Sequence, residues 1–130
     1  MKAIVVTDET VGMAGMTLVE RPEPPAAIND VVVQVHASGF VPTELAWRST
    51  WTDRAARDRT PSIPGHELAG VVTGLGYGTT GLSVGQRVFG IADWHRDGTL
   101  AGTWPSRHAT LRRSRATSTS RSARACRSRA

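Results

Sequence analysis

The chain has 130 residues, a length that suits one domain with a modest core, and 39% of its residues are hydrophobic, which is ordinary for a globular protein. No apolar run approaches the roughly 20 residues of a membrane span, so we expect a cytoplasmic protein, and the single cysteine, Cys126, excludes an intramolecular disulfide. The net charge is +5, yet residues 1–103 carry eight Lys and Arg against 11 acids, whereas residues 104–130 carry eight arginines and no acid.

Three runs of residues near the start of the chain predict strands. Residues 2–6 and 16–20 flank a turn-prone segment, and residues 31–36 form a stronger, β-branched run. Residues 21–25 contain three prolines, which lack the N–H groups that a central strand donates to its neighbours. We therefore interpret this proline-rich segment as an edge or a linker.

A single helix is predicted over residues 43–51. Pro42 precedes it, Thr43 is able to cap it, and Leu45 contributes to an apolar face. The following residues, 53–61, alternate acids and arginines and contain no apolar side chain larger than alanine. This composition is typical of a solvated loop.

Two further strands are predicted at residues 68–75 and 87–92. Between them, residues 76–81 satisfy the pattern G-x-G-x-x-G. A dinucleotide fingerprint needs a helix that begins on those glycines, whereas the residues that follow favour a turn and a strand, so we interpret the segment as a hairpin reversal. The fold class is therefore mainly β, a partly open barrel with one or two short helices.

The most informative part of the chain is Pro-Gly-His-Glu-Leu-Ala-Gly-Val-Val at residues 64–72, followed by Gly-Leu-Ser-Val-Gly-Gln-Arg-Val-Phe-Gly at residues 81–90. From Met1 to about Ala101 the chain resembles the catalytic, GroES-like N-terminal domain of the medium-chain dehydrogenase/reductase superfamily. That superfamily contains zinc alcohol dehydrogenases and zinc-free quinone oxidoreductases. The resemblance implies a GroES-like barrel that forms one wall of a cleft, opposite a Rossmann domain that binds the nicotinamide cofactor.

The same resemblance bears on zinc. In the zinc alcohol dehydrogenases, the histidine of Gly-His-Glu binds catalytic zinc together with an upstream cysteine, and Val41 stands in the place of that cysteine here. Zinc requires about four N, S or O donors. His66, Glu67 and Glu44 could supply some of them, but their spacing in the sequence does not match a metal-binding pattern that would require it. The alternative is that His66 and Glu67 form hydrogen bonds within a turn. The chain resembles the zinc-free branch, and we assign no metal ligand.

In that branch, similar to NADPH-dependent quinone oxidoreductases, the cofactor carries the hydride chemistry and the protein supplies a dry cleft and a donor for the developing oxyanion. The resemblance implies catalytic roles for Thr43, His66 and Glu67, with Thr43 also near the nicotinamide. Three aromatic side chains are expected to line the substrate cleft, those of Phe40, Trp47 and Trp94. For Trp47, a place in the core or in an interface is the alternative.

Residues 102–130 depart from the resemblance. They are rich in Arg, Ser, Ala and Thr, a composition that predicts a disordered basic tail. A shifted reading frame accounts for them: with GC-rich codons, one adenine restored in the codon of Gly102 turns residues 101–110 into Ala-Glu-Tyr-Val-Ala-Val-Glu-Ala-Arg-Asn. This resembles the next strand of the family. In the shifted frame the Trp104 codon forces the pattern NTG, and each serine with a TC codon forces NTC, so hydrophobic residues at those positions are not a free choice of codons.

These observations lead to one favoured function and two alternatives. The favoured one is a truncated NADPH-dependent oxidoreductase that acts on a quinone, an enone or a similar carbonyl, with residues 1–101 as an incomplete domain. The 130-residue chain is then expected to bind no cofactor and to be inactive by itself, while the full-length form is a homo-oligomer. The alternatives are a basic-tailed nucleic-acid-binding protein and a fragment of a zinc-dependent alcohol dehydrogenase.

Overall fold

The computed structural model describes residues 1–107 and 111–114, which form two antiparallel sheets. The strands are β1 (Lys2–Val5), β2 (Thr17–Glu20), β3 (Asp30–Gly39), β4 (Glu67–Leu75), β5 (Arg87–Ile91), β6 (Thr103–Arg107) and β7 (Leu111–Arg113). The small sheet pairs β1 with β2, and the larger sheet has the order β6-β3-β4-β5-β7. The mainly β, open architecture expected from the sequence is confirmed.

The two longest strands, β3 and β4, lie at the centre of the larger sheet. Their pairing shifts register twice, between Val32 and Val33 and between Val35 and Ala37. Such irregularities bend a strand and increase its twist, so they curve the sheet around its core. The G-x-G-x-x-G segment connects β4 to β5, as predicted, and it contains no helix start.

Three apolar clusters fill the domain. The largest lies on one face of the larger sheet, the second lies under the small sheet, and the third is formed by Val6, Leu45 and Trp51. The members of the largest cluster are Val31, Val33, Leu68, Val72, Leu82, Val88, Ala92, Trp104 and Leu111. Since every strand of the larger sheet contributes to it, this cluster holds the sheet together.

The predicted helix over residues 43–51 is wrong as a single element. A 3-10 helix covers Pro42–Ala46, and a one-turn helix, α1, covers Arg48–Trp51. Between them Trp47 has an extended backbone with ψ of 133°, and the residue at the N-terminal cap is Val41, so Thr43 does not cap.

Side chains explain why the helix divides. The Thr50 hydroxyl donates to the Glu44 carbonyl at 2.6 Å, and the Trp51 indole N–H donates to the Leu45 carbonyl at 2.8 Å. These bonds satisfy carbonyls that a continuous helix would pair with backbone N–H groups. Residues 53–61 form a loop, as predicted, although the Arg59 side chain is only 12% exposed.

The structure differs from the predicted disorder in part of the segment 102–130. Strand β6 pairs with β3, and β7 pairs with β5, because ladder hydrogen bonds are made by the backbone and do not require apolar side chains. Trp104 is 2% exposed, and its indole N–H donates to the Asp97 carbonyl at 2.8 Å. Residues 108–110 and 115–130, which include Cys126, lie outside the described residues.

In the part of the chain that the structure describes, no helix has the length and hydropathy needed to cross a membrane.

Replacing Trp104 with alanine tests whether β6 belongs to the domain. We expect Trp104→Ala to lower the free energy of unfolding by about 3–5 kcal/mol, because it removes a large buried side chain from the main core. Urea unfolding followed by circular dichroism measures the change. Tyr77→Ala is the matched control, since Tyr77 is 87% exposed, and it should change the value by about 0.5 kcal/mol or less. An unchanged midpoint for Trp104→Ala would show that β6 does not pack on the core.

Candidate active site

Backbone hydrogen bonds fix the Pro-Gly-His-Glu segment from two sides. The Gly98 N–H donates to the Ile63 carbonyl at 2.7 Å, and the N–H groups of residues 99 and 100 donate to the carbonyls of residues 65 and 64, at 2.9 and 3.0 Å respectively. On the other side, the Ala92 N–H donates to the His66 carbonyl at 2.7 Å. The segment is thereby joined to the loop that follows β5, which places His66 beside the residues of that loop.

Gly65 is required at this position by its conformation and by its surroundings. Its φ is +94°, in the left-handed region that favours glycine, and a Cβ there would lie 2.7 Å from the Thr99 hydroxyl oxygen. Thr99 is fully buried, and its hydroxyl donates to the Glu67 carbonyl at 2.9 Å while it also shares a hydrogen bond of 2.7 Å with the Ser38 hydroxyl. The backbone on either side of His66 is therefore held rigidly.

Three aromatic rings meet at His66. The Trp47 ring stacks on the imidazole with centroids 5.4 Å apart and planes inclined by 14°. The Trp94 ring lies 5.3 Å from Trp47 and 6.3 Å from His66 in tilted arrangements. We call these three residues the aromatic site. His66 is buried, and neither ring nitrogen has a hydrogen-bond partner among the described residues.

The environment of His66 keeps its imidazole neutral near pH 7. Burial lowers its pKa below the usual value of 6.5, the positive charge of Arg59 lowers it further, and Asp93 opposes this shift. A neutral imidazole carries one N–H donor and one acceptor nitrogen. His66 can therefore donate one hydrogen bond to a ligand atom, and accept another, without bringing a net charge into the site.

Glu44 is a second buried polar group with an unsatisfied atom. It is 3% exposed, and its Oε2 has no hydrogen-bond partner within the described part of the chain. Burial raises the pKa of its carboxyl, the backbone N–H groups of Gly65 and Val41 oppose the rise, and the charge of Glu67 adds to it. The sequence suggested Glu44 only as a donor to zinc, because residue type and spacing do not show burial.

The structure brings together some of the sequence-predicted site residues and separates others. Trp47, His66 and Trp94 are in mutual contact. Phe40 packs instead against the third apolar cluster, and Thr43 lies exposed on the 3-10 helix.

The exposed Glu67 side chain lies on the opposite side of the strand from His66, since neighbouring residues of a strand alternate. It faces an open groove of about 800 Å³ beside Phe89, Ile91 and Asp93.

The described residues do not fit a zinc centre. No three His, Cys, Asp or Glu side chains come together anywhere in residues 1–107 and 111–114. Val41, where the resemblance would require a thiolate, carries an exposed isopropyl group, which has no lone pair to donate.

The G-x-G-x-x-G segment at residues 76–81 does not fit the pyrophosphate of a dinucleotide. The Gly76 N–H donates to the Asp30 carbonyl at 2.7 Å, within the turn after β4, and Gly78 and Gly81 have φ of 82° and 81°. The next element is β5, so in the described part of the chain no helix N-terminus faces these glycines. The interpretation of this segment as a hairpin reversal is confirmed.

Sequence reasoning missed two residues beside the aromatic site. Arg59 donates a hydrogen bond to the Trp94 carbonyl at 3.0 Å, and Asp93 pairs with Arg54 at 3.4 Å. Both lie in loops, where no periodicity marks a buried side chain.

Comparison with known proteins identifies similar sequences. The family model described as the alcohol dehydrogenase GroES-like domain matches residues 27–110. The L-threonine 3-dehydrogenase of Saccharopolyspora erythraea is 41% identical over 91 residues, which cover 69% of this chain and 25% of that protein. The chain thus spans about a quarter of the length of the curated relatives it matches.

Solved structures have the same fold. The quinone oxidoreductase from Coxiella burnetii matches with a TM-score of 0.73 and 22% identity, over 89% of this chain and 37% of that one. An alcohol dehydrogenase superfamily protein from Novosphingobium aromaticivorans matches with a TM-score of 0.71 and 27% identity, over 87% of this chain and 34% of that one. The expected GroES-like fold is confirmed.

Protonation of His66 should destabilise the folded chain. The pKa of His66 in the folded chain lies below the usual value of 6.5. At a pH between these two values the unfolded chain binds more protons than the folded chain, so the free energy of unfolding falls as the pH falls through this range. Urea unfolding at about pH 7.5 and about pH 5.5 measures this loss. We expect His66→Gln to reduce the loss, and His95→Gln, at an exposed position, to retain it. An equal loss in the parent and in His66→Gln would contradict the assignment.

Proposed function

Since the chain belongs to the family of alcohol dehydrogenase GroES-like domains, within the medium-chain dehydrogenase/reductase superfamily, we propose that it forms the substrate wall of an oxidoreductase active site. Members of this superfamily use NAD(P), act on small molecules and in some cases contain zinc. The proposed reaction is hydride transfer from NADPH to a quinone, an enone or a similar carbonyl. The observation that carries the proposal is the buried His66 imidazole, which has no hydrogen-bond partner among the described residues and is in ring contact with two tryptophans.

The residues of this chain would orient the substrate, exclude water and stabilise charge. The hydride chemistry would be supplied by the nicotinamide. The neutral His66 would donate its N–H to the substrate oxygen as negative charge develops there, and such a bond is stronger at a site from which water is excluded. Trp47 and Trp94 would shield that bond, and Thr43 would add a hydroxyl donor near the nicotinamide.

The aromatic character of the site favours a planar carbonyl substrate over an amino acid. The matched relatives named L-threonine 3-dehydrogenase act, by name, on a zwitterion, which needs charged partners. Here the rings offer flat apolar faces, and the positive charge of Arg59 is already balanced by Asp97 at 3.8 Å. We propose a zinc-free mechanism in which His66 supplies the donor; it is supported by the described residues, among which no three His, Cys, Asp or Glu side chains come together.

The proposal extends to the reading frame of residues 102–130. We expect the 130-residue protein with NADPH and a quinone to oxidise no more NADPH than a heat-killed sample, followed as absorbance loss. The product of the gene with one adenine restored in the Gly102 codon should be active. Turnover by the 130-residue protein would contradict its expected inactivity. A stop codon soon after the restored base would contradict the shifted frame.

In the restored product, His66→Gln should lower kcat/KM about 100-fold, because it removes an oxyanion donor. The exposed His95→Gln is the control and should leave kcat/KM unchanged. Unchanged turnover in His66→Gln would remove His66 from the mechanism. Loss of activity after treatment with a zinc chelator would favour the zinc-dependent alternative.

A second function is favoured by the segregation of charge. Residues 104–130 carry eight arginines and no acid, and such segments bind phosphate backbones without reading sequence. We expect salt-sensitive binding to duplex DNA, with log K falling against log salt by about 0.9 for each phosphate neutralised. Replacing five arginines with serine should reduce this slope: Arg115, Arg121, Arg124, Arg127 and Arg129. Arg54→Ser with Arg57→Ser is the control, and an unchanged slope in the five-serine variant would exclude this function.

A further inference from the structure

Arg59 joins the two segments that carry the tryptophans of the aromatic site. Its Nη1 donates to the Ser49 carbonyl in α1 and, at 3.0 Å, to the Trp94 carbonyl in the loop after β5. Its backbone N–H donates to the Trp51 carbonyl at 3.1 Å, so the residue is fixed to α1 through its main chain as well. Ser49 lies two residues after Trp47, and Trp94 is bonded directly.

One guanidinium nitrogen of Arg59, Nη1, makes both of these carbonyl contacts. A guanidinium has five N–H donors in a planar fork, which allows it to bond two carbonyls in different directions at once. The other nitrogen, Nη2, lies 3.8 Å from the Asp97 carboxylate, which balances the charge. The side chain is 12% exposed, so it is placed to hold backbone together and not to meet a ligand in solvent.

The neighbouring arginines of the same loop behave differently. Arg54 and Arg57 are 71% and 79% exposed, and they pair with the carboxylates of Asp93 and Asp53. Exposed ion pairs of this kind contribute little to stability or to geometry. Arg59 is thus distinguished by its burial and by its bonds to carbonyl oxygens.

We propose that Arg59 is a positioning residue, which holds the Trp47 and Trp94 rings against the His66 imidazole by joining the carbonyls of Ser49 and Trp94. The ring arrangement does not depend on the proposed function, whereas the importance of Arg59 for turnover rests on it. The centroids of the Trp47 and Trp94 rings are 5.3 Å apart, and the two rings lie on segments that no strand pairing connects directly. A bridging side chain is therefore needed to fix the distance between them.

Loss of Arg59 should leave the fold intact, because the loop after β5 has a second anchor. Arg96 donates to both carboxylate oxygens of Asp30 at 3.1 and 2.8 Å, and the Asp30 side chain is 5% exposed. The loop would therefore stay attached to the start of β3. The carbonyls of Trp94 and Ser49 would lose the hydrogen bonds that Arg59 donates to them.

The test compares Arg59→Met and Arg59→Lys with the control Arg57→Met in the 130-residue protein. Two indoles at this distance give a coupled circular-dichroism signal, which is assigned by its loss in Trp47→Phe and in Trp94→Phe. The stacked indole also shifts the NMR signals of the His66 ring protons upfield. We expect both Arg59 variants to lose at least about half of the coupled circular-dichroism signal and of the upfield shift, since neither methionine nor lysine has the planar fork of donors. Arg57→Met should retain both the signal and the shift.

Retention of both spectroscopic effects in the two Arg59 variants would overturn the proposal. Failure of both variants to fold, when Arg57→Met folds, would also overturn it, because Arg59 would then stabilise the whole domain. In the gene product with the restored frame, we expect Arg59→Lys to lower kcat/KM about tenfold, as a small displacement of the rings would. Loss of the ring signals with unchanged turnover would support the positioning role and contradict the proposed function of the aromatic site.

Discussion

The geometry of the site depends on the backbone pairing of residues 63–65 with residues 98–100. This pairing connects segments more than 30 positions apart and fixes the chain directions on both sides of His66. It requires Gly65, with its positive φ, and a residue without a side chain at Gly98, where a Cβ would collide with the Pro64 and Gly65 carbonyls. With the segment fixed in this way, His66 is buried beside the loop that carries Trp94.

The strands of residues 1–101 could be predicted from the sequence because the residues that specify each strand lie within it or next to it in the chain. β-Branched residues are concentrated in β3 and β4, and prolines and glycines flank these strands. The helix over residues 43–51 was predicted wrongly since Trp51 and Thr50 bond carbonyls within the same segment, a competition that helix propensity does not include. The sequence does not predict strands β6 and β7, because the composition of residues 102–130 taken as a whole indicates disorder. Strand pairing, however, needs only a free edge of a sheet and a few apolar residues such as Trp104.

The aromatic site could be predicted only in part. His66 stood out through its motif, but its contacts with Trp47 and Trp94 join positions 19 and 28 residues away in loops and short helical turns, where no periodicity connects them. The comparisons show that a similar domain occurs in proteins named L-threonine 3-dehydrogenase and in quinone oxidoreductases. Because one fold carries several chemistries, the side chains around His66 are a better guide to the substrate than the architecture.

These side chains produce a neutral donor without a metal. Burial and the charge of Arg59 both disfavour the imidazolium form of His66, while Asp93 limits the shift, so the ring keeps one N–H at neutral pH. A zinc ion would instead polarise a substrate oxygen directly and would need a donor where Val41 stands. In the proposed function, with an isopropyl group in that position, stabilisation of a developing oxyanion would fall to His66. The Trp47 ring stacked on the imidazole would favour this role, because a hydrogen bond shielded from water is stronger than the same bond in an open cleft.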